Sequence, residues 1–103
     1  MSMAERLTIG AATRPKLARH ARLRFDTARG LWLLLAPERV LLPDPIAVEV
    51  LELSDGIRTV RDVAENLSQK YDAPLDRIAT DVTAMLQSLA DKGFVAAADG
   101  VRP

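Results

Sequence analysis

Cysteine is absent from this 103-residue chain, and that absence removes disulfides, thiol nucleophiles, thiolate-held Fe–S clusters and all cysteine-based zinc sites. Histidine occurs once, as His20, so no Cys/His metal cluster can be assembled and only one Ser-His-Asp triad can be attempted. Long apolar runs are missing too. Nowhere do ~18 apolar residues follow one another, which leaves no helical membrane span. The start, Met1-Ser2-Met3-Ala4-Glu5-Arg6, lacks the apolar stretch of a signal peptide. A soluble, cytoplasmic protein without membrane attachment is the expectation. The phosphate-cradling run Gly-x-x-x-x-Gly-Lys-Ser and the calcium run Asp-x-Asp-x-Asp-Gly do not occur either.

Little catalytic machinery is left. Ser54-Asp55 is the first place to look for a nucleophile, but its single candidate base, His20, belongs to another segment and no Gly-x-Ser-x-Gly elbow surrounds the serine. A helix-terminal turn at Ser54-Asp55-Gly56 accounts for those residues. The chain is therefore expected not to be an enzyme, and to need no cofactor and no metal.

About half of the residues, 49%, are apolar, which suits one small domain with a single core. The net charge is zero but unevenly spread. Residues 1–42 carry eight basic and three acidic side chains, and residues 43–103 carry six basic and eleven acidic ones, so the two parts are +5 and −5. Two readings follow: two faces of one domain that attract each other or are simply solvated, or a basic strand surface beside an acidic helical surface, suited to a charged peptide or protein.

The pattern divides into strands and then helices. Leu23 and Phe25 alternate with Arg22, Arg24 and Asp26, as in a strand with one buried face. Thr27-Ala28-Arg29-Gly30 supplies a turn, and Leu31-Trp32-Leu33-Leu34-Leu35 is apolar throughout, as in a strand covered on both faces or packed on a partner. Ala36-Pro37-Glu38 turns the chain again into Arg39-Val40-Leu41-Leu42, closed by Pro43. With no fourth strand on that side, this last strand is expected to be an edge with free backbone N–H and C=O groups.

Asp44 is a candidate N-cap with Pro45 at the first helical position, and Gly56 is the candidate left-handed residue after that helix. Thr59 with Asp62 forms a candidate capping box for a second helix, whose buried stripe is Val60, Val63, Ala64, Leu67 and Tyr71. A third helix begins near Pro74 with the stripe Leu75, Ile78, Ala79, Val82, Met85, Leu86 and Leu89. Asp72 and Asp76 lie near its start, where acidic residues favour the helix dipole, and Gly93 stops it. The fold class expected is α+β, winged-helix-turn-helix-like: a three-stranded antiparallel meander followed by three helices. A DNA-binding winged helix is the alternative. Residues 74–92 carry a net −1 charge, which opposes phosphate binding by the third helix, although the basic arm or wing stays open to that role.

With these residues in hand, the chain resembles the PqqD family, small peptide chaperones of pyrroloquinoline quinone (PQQ) biosynthesis. The resemblance rests on Arg24-Phe25-Asp26, on Leu33-Leu34-Leu35-Ala36-Pro37-Glu38-Arg39-Val40, on Val50-Leu51-Glu52-Leu53-Ser54-Asp55-Gly56 and on Arg58-Thr59-Val60. It continues through Tyr71-Asp72-Ala73, Asp81-Val82, Leu86 and Leu89. It covers about residues 15–97, and Leu-Leu-Ala-Pro-Glu-Arg-Val is its most specific stretch. One departure is Ser54, where related sequences often carry cysteine.

Weak periodicity over 1–15, ending in Arg14-Pro15, predicts a flexible arm, and the resemblance implies a peptide-recognition domain over 16–97, followed by a tail over 98–103. It also implies binding of the ribosomally made precursor peptide PqqA and its delivery to the radical S-adenosylmethionine enzyme PqqE, with no nucleic-acid partner. Another ribosomal peptide with its own modifying enzyme is an alternative. In related domains the peptide adds beside the third strand and packs on the third helix. That places Arg39, Val40, Leu41 and Leu42 at the backbone edge, and Ile78, Asp81, Val82, Met85 and Leu86 on the opposite wall. A monomer and a homodimer are both compatible with the free edge and the apolar stretch 31–35.

Overall fold

The first hairpin shows how local chemistry sets the frame in this computed structural model, which describes residues 7–98. Strands β1 (Pro15–Leu17), β2 (Arg22–Asp26), β3 (Leu31–Ala36) and β4 (Arg39–Leu41) are followed by α1 (Pro45–Leu53), α2 (Val60–Tyr71), α3 (Leu75–Asp91) and β5 (Val95–Ala97). Between β2 and β3, the Asp26 carboxylate accepts from the backbone N–H groups of Ala28 and Arg29 at 3.0 and 3.2 Å. Gly30 then takes φ +68, a left-handed conformation that costs glycine little. β2, β3 and β4 form one antiparallel sheet in that order, with β4 at an edge. The second turn is tight: Ala36 faces Arg39 across a loop of Pro37 and Glu38.

Strand alternation sends Leu23, Leu34, Ala36 and Leu41 to one face, where they join the core. Leu34 is fully buried. The helices supply the rest of that core: Val50 and Leu51 from α1, Val60, Val63 and Leu67 from α2, and Val82, Leu86 and Leu89 from α3. Helix starts follow the capping residues. The Asp44 carboxylate accepts from the Ala47 N–H at 2.8 Å, and Thr59 and Asp62 exchange side chain-to-backbone bonds in a capping box. At the end of α1 the Ser54 hydroxyl, buried, donates to the Val50 carbonyl at 2.7 Å, so the serine fits this turn with its polar group satisfied.

Three features depart from sequence expectation. β1 and β5 form a second, two-stranded sheet in which Pro15 faces Ala97 and Leu17 faces Val95. The described part of the expected loose arm, residues 7–15, is tied down. Ile9 is buried, and the Thr13 and Ala11 carbonyls accept from the first amides of α2, Val60 and Arg61, at 2.8 and 3.0 Å. Gln87 of α3 accepts from the Ile9 N–H and donates to the Leu7 carbonyl, both at 2.8 Å. Periodicity is blind to this because the segment works through backbone carbonyls that satisfy a helix N-terminus. Asp72 does not start α3 but ends α2, as its left-handed C-cap at φ 51. Residues 1–6, and the 99–103 part of the expected tail, lie outside the described residues.

Candidate functional site

β4 and the first half of α3 frame the most distinctive surface. Pro37 and Pro43 bracket β4, and its outer side carries no strand among the described residues. Val40 and Leu42 are 60% and 67% exposed, while Leu41 packs inward against the core. Arg39 lies on the helix-facing side and donates from Nη1 to the Lys92 carbonyl just past α3 at 2.7 Å. The start of β4 is thereby fixed beside the C-terminal end of α3. The other end leads through Pro43, Asp44 and Pro45 to Ile46, which meets the N-terminal half of α3.

There Ile46 of α1, Leu67 and Tyr71 of α2 and Ile78, Asp81, Val82 and Met85 of α3 line an apolar cleft of about 240 Å³. Four of the five α3 residues expected on the wall thus come together. Leu86 does not: it is fully buried and underlies the wall. The residues of β4 do not line the cleft itself; the short proline-bounded link joins the two. Tyr71 was read in sequence as part of a buried stripe, yet it is 47% exposed at the cleft mouth, where Ile46 is 44% exposed. Their positions at a helix start and a helix end were the available signal, since stripe residues there have neighbours on only one side.

The Tyr71 ring is held in place. Its hydroxyl donates to one carboxylate oxygen of Glu49 and the Lys70 ammonium donates to the other, while Lys70 also lies 5.5 Å from the Tyr71 ring centre. The Lys70 hydrogen bond, then that of Tyr71, holds the Glu49 carboxyl below its ordinary pKa. The same contacts hold Lys70 and Tyr71 above theirs. Asp81 is exposed and has no ion-pair partner among the described residues. The arrangement offers a backbone edge, an apolar recess and a free carboxylate. Among the described residues no group of three or more His, Cys, Asp or Glu side chains is placed to hold a metal, and no helix is long and apolar enough to cross a membrane.

Comparison with known proteins gives a consistent picture. The family model described as "Coenzyme PQQ synthesis protein D (PqqD)" matches residues 32–95. A "PqqA binding protein" of Bradyrhizobium diazoefficiens is 57% identical over 89 residues, covering 86% of each chain. The "Bifunctional coenzyme PQQ synthesis protein C/D" of Methylorubrum extorquens is 49% identical over 78 residues, which are 76% of this chain and 21% of that one. Among solved structures, the solution structure of the PqqD truncation of Methylobacterium extorquens PqqCD, described as a functional, stand-alone recognition element for ribosomally made, post-translationally modified peptides, superposes with a TM-score of 0.73. It is 43% identical and covers 85% of this chain and 94% of its own. The crystal structure of PqqD from Xanthomonas campestris is 39% identical, with a TM-score of 0.52 over 82% of this chain and 94% of that one.

Proposed function

The chain belongs to the PqqD family, and from that membership we propose that it is a non-enzymatic adaptor that binds the precursor peptide PqqA as an added β-strand and presents it to the radical S-adenosylmethionine enzyme PqqE. The work is done in the cytoplasm, where a ribosomal peptide is made and modified. The observation that carries the reading is the free edge of β4 running from the C-terminal end of α3 toward the cleft on its N-terminal half. A strand added at such an edge gains main-chain hydrogen bonds, and alternate side chains reach the pockets beside it.

In this mode Arg39, Val40, Leu41 and Leu42 supply the edge, and Ile78, Asp81, Val82 and Met85, with Ile46 and Tyr71, receive side chains of the peptide. Met85 suits that task because its thioether adapts to irregular shapes. Asp81 favours a basic residue in the peptide, an exposed pair adding at most about 1 kcal/mol. Titration of the 15N-labelled chain with synthetic PqqA tests the reading: amide shifts are expected at residues 39–42 and along the cleft-facing side of α3. Shifts that avoid both refute it.

A further inference from the structure

Among the described residues, helices cover only one face of the β2–β3–β4 sheet. On the other face, alternation places Leu31, Leu33 and Leu35 in a row, with Arg24 opposite Leu33, Arg22 opposite Leu35 on one side and Val40 opposite Leu35 on the other. None of the three leucines belongs to the core or to the side chains packed against it. Arg22 and Arg24 are exposed, and neither has an ion-pair partner among the described residues. The one carboxylate that the described strands place on this face, Asp26, is engaged by its own turn and by Arg29. A strip of three half-buried leucines outside the core, flanked by two free guanidinium groups, is thus partly open to solvent, and apolar patches rimmed by charge mark docking surfaces.

We propose that this outer sheet face docks a protein partner whose contact surface is apolar at its centre and acidic along one rim. The charge picks the occupant. A second copy would bring two more arginines to the interface, and nucleic acid would leave the leucine strip uncovered, whereas carboxylates set beside an apolar patch satisfy both halves of the surface. The proposal rests on the adaptor reading above and deepens it. A strand added at β4 turns alternate side chains to the α3 cleft and the intervening ones to this outer face. A partner seated on the leucine–arginine face meets those intervening side chains, so one side of the bound strand is read and the other is displayed.

The probe is PqqE, titrated calorimetrically with the full chain and with two double variants, R22E/R24E and R22K/R24K, at exposed positions whose change leaves the core intact. Expected are a loss of PqqE affinity of tenfold or more for the glutamate pair, retention within threefold for the lysine pair, and PqqA affinity within twofold of wild type for both. Absence of PqqE binding by the wild-type chain, or equal binding by the glutamate pair, overturns the docking face. So does sedimentation showing a dimer that the glutamate pair dissociates, since a second copy then owns the face. Loss of PqqA binding to β4 with the charge dependence of PqqE binding intact refutes the adaptor reading and leaves the docking face standing.

Discussion

Replacing Val40 by proline perturbs one backbone donor, and the register says where that donor points. Ala36 and Arg39 close a two-residue loop, and Leu35 faces Val40 while Leu34 faces Leu41. Residues flanking such a loop exchange hydrogen bonds, and in an antiparallel ladder the inward and outward positions then alternate. Arg39 and Leu41 therefore bond to β3, and the N–H and C=O of Val40 face away from the sheet. In the free protein Val40→Pro removes only a solvated N–H at an edge, where proline is tolerated. In the proposed complex it leaves a peptide carbonyl without its donor, which costs about 1–3 kcal/mol. That corresponds to roughly 5- to 150-fold in affinity. Leu41→Pro is the contrast: it removes a ladder bond and disturbs a side chain packed on the core, and is expected to cost about 2–4 kcal/mol of folding stability. Calorimetric titration with PqqA, beside urea melts of both variants, separates the effects. A folded V40P chain that binds PqqA within twofold of wild type refutes strand addition at β4.

Leu86→Ala, at a position with no exposed surface, is expected to cost about 2–5 kcal/mol in a urea melt; a loss below about 1 kcal/mol contradicts its place in the core. Asp44→Ala removes the carboxylate that caps α1 and should lower stability by about 1 kcal/mol, measured the same way, whereas Asp44→Asn, whose side-chain oxygen can accept the same N–H, should recover most of that loss. Stability should also fall in acid. Backbone N–H groups at Asp55 and Asp62, and Lys70 at Glu49, hold these carboxyls below their ordinary values of 3.8, 3.8 and 4.5. A depressed folded-state pKa gives stability that is present above the unfolded value and lost as pH falls through the folded one. Urea midpoints should accordingly stay level down to about pH 5 and decline below about pH 4.5, and a midpoint that rises in that window contradicts these contacts.

What was legible in sequence was whatever side-chain chemistry announces. The Asp44-Pro45 start, the Thr59/Asp62 capping box, Gly30 in its turn and the α3 stripe are each written in residue type and spacing, and each appears in the structure. The edge position of β4 followed from counting strands. What stayed hidden depends on backbone or on distant neighbours. β1 pairs with β5 about 80 residues away, through three residues on each side, too short for any period to register. The segment before it serves as a row of carbonyl acceptors for α2, and carbonyls carry no sequence label. Tyr71 and Leu86 exchanged expectations for one reason. An apolar stripe marks the side of a helix but not the depth at each turn, and depth is set by which neighbour lies opposite. Leu86 has the core opposite it; Tyr71, at the end of α2, has solvent and Glu49.

The shortness of the edge bears on where specificity resides. β4 has three residues within a five-residue stretch between Pro37 and Pro43, and only Val40 within it turns both backbone groups outward, with Leu42 next in line. Such a stub resists unwanted strand pairing, because short, proline-bounded edges make poor templates. It also limits what backbone contacts can contribute. At about 1 kcal/mol net for each hydrogen bond, two to four of them supply roughly 2–4 kcal/mol. A micromolar complex requires about 8 kcal/mol, and association costs at least about 4 kcal/mol more in lost freedom. The balance has to come from side chains entering the cleft, where burying each aliphatic or aromatic group is worth about 1.5–3 kcal/mol. In the proposed complex, pairing on β4 therefore holds the peptide as a strand whatever its sequence, and the Ile46–Tyr71–Met85 cleft does the reading. PqqA peptides carrying alanine at both cleft-facing positions should lose more affinity for the wild-type chain than unaltered PqqA loses for V40P. The reverse order in the same titration would put recognition in the backbone and contradict this division.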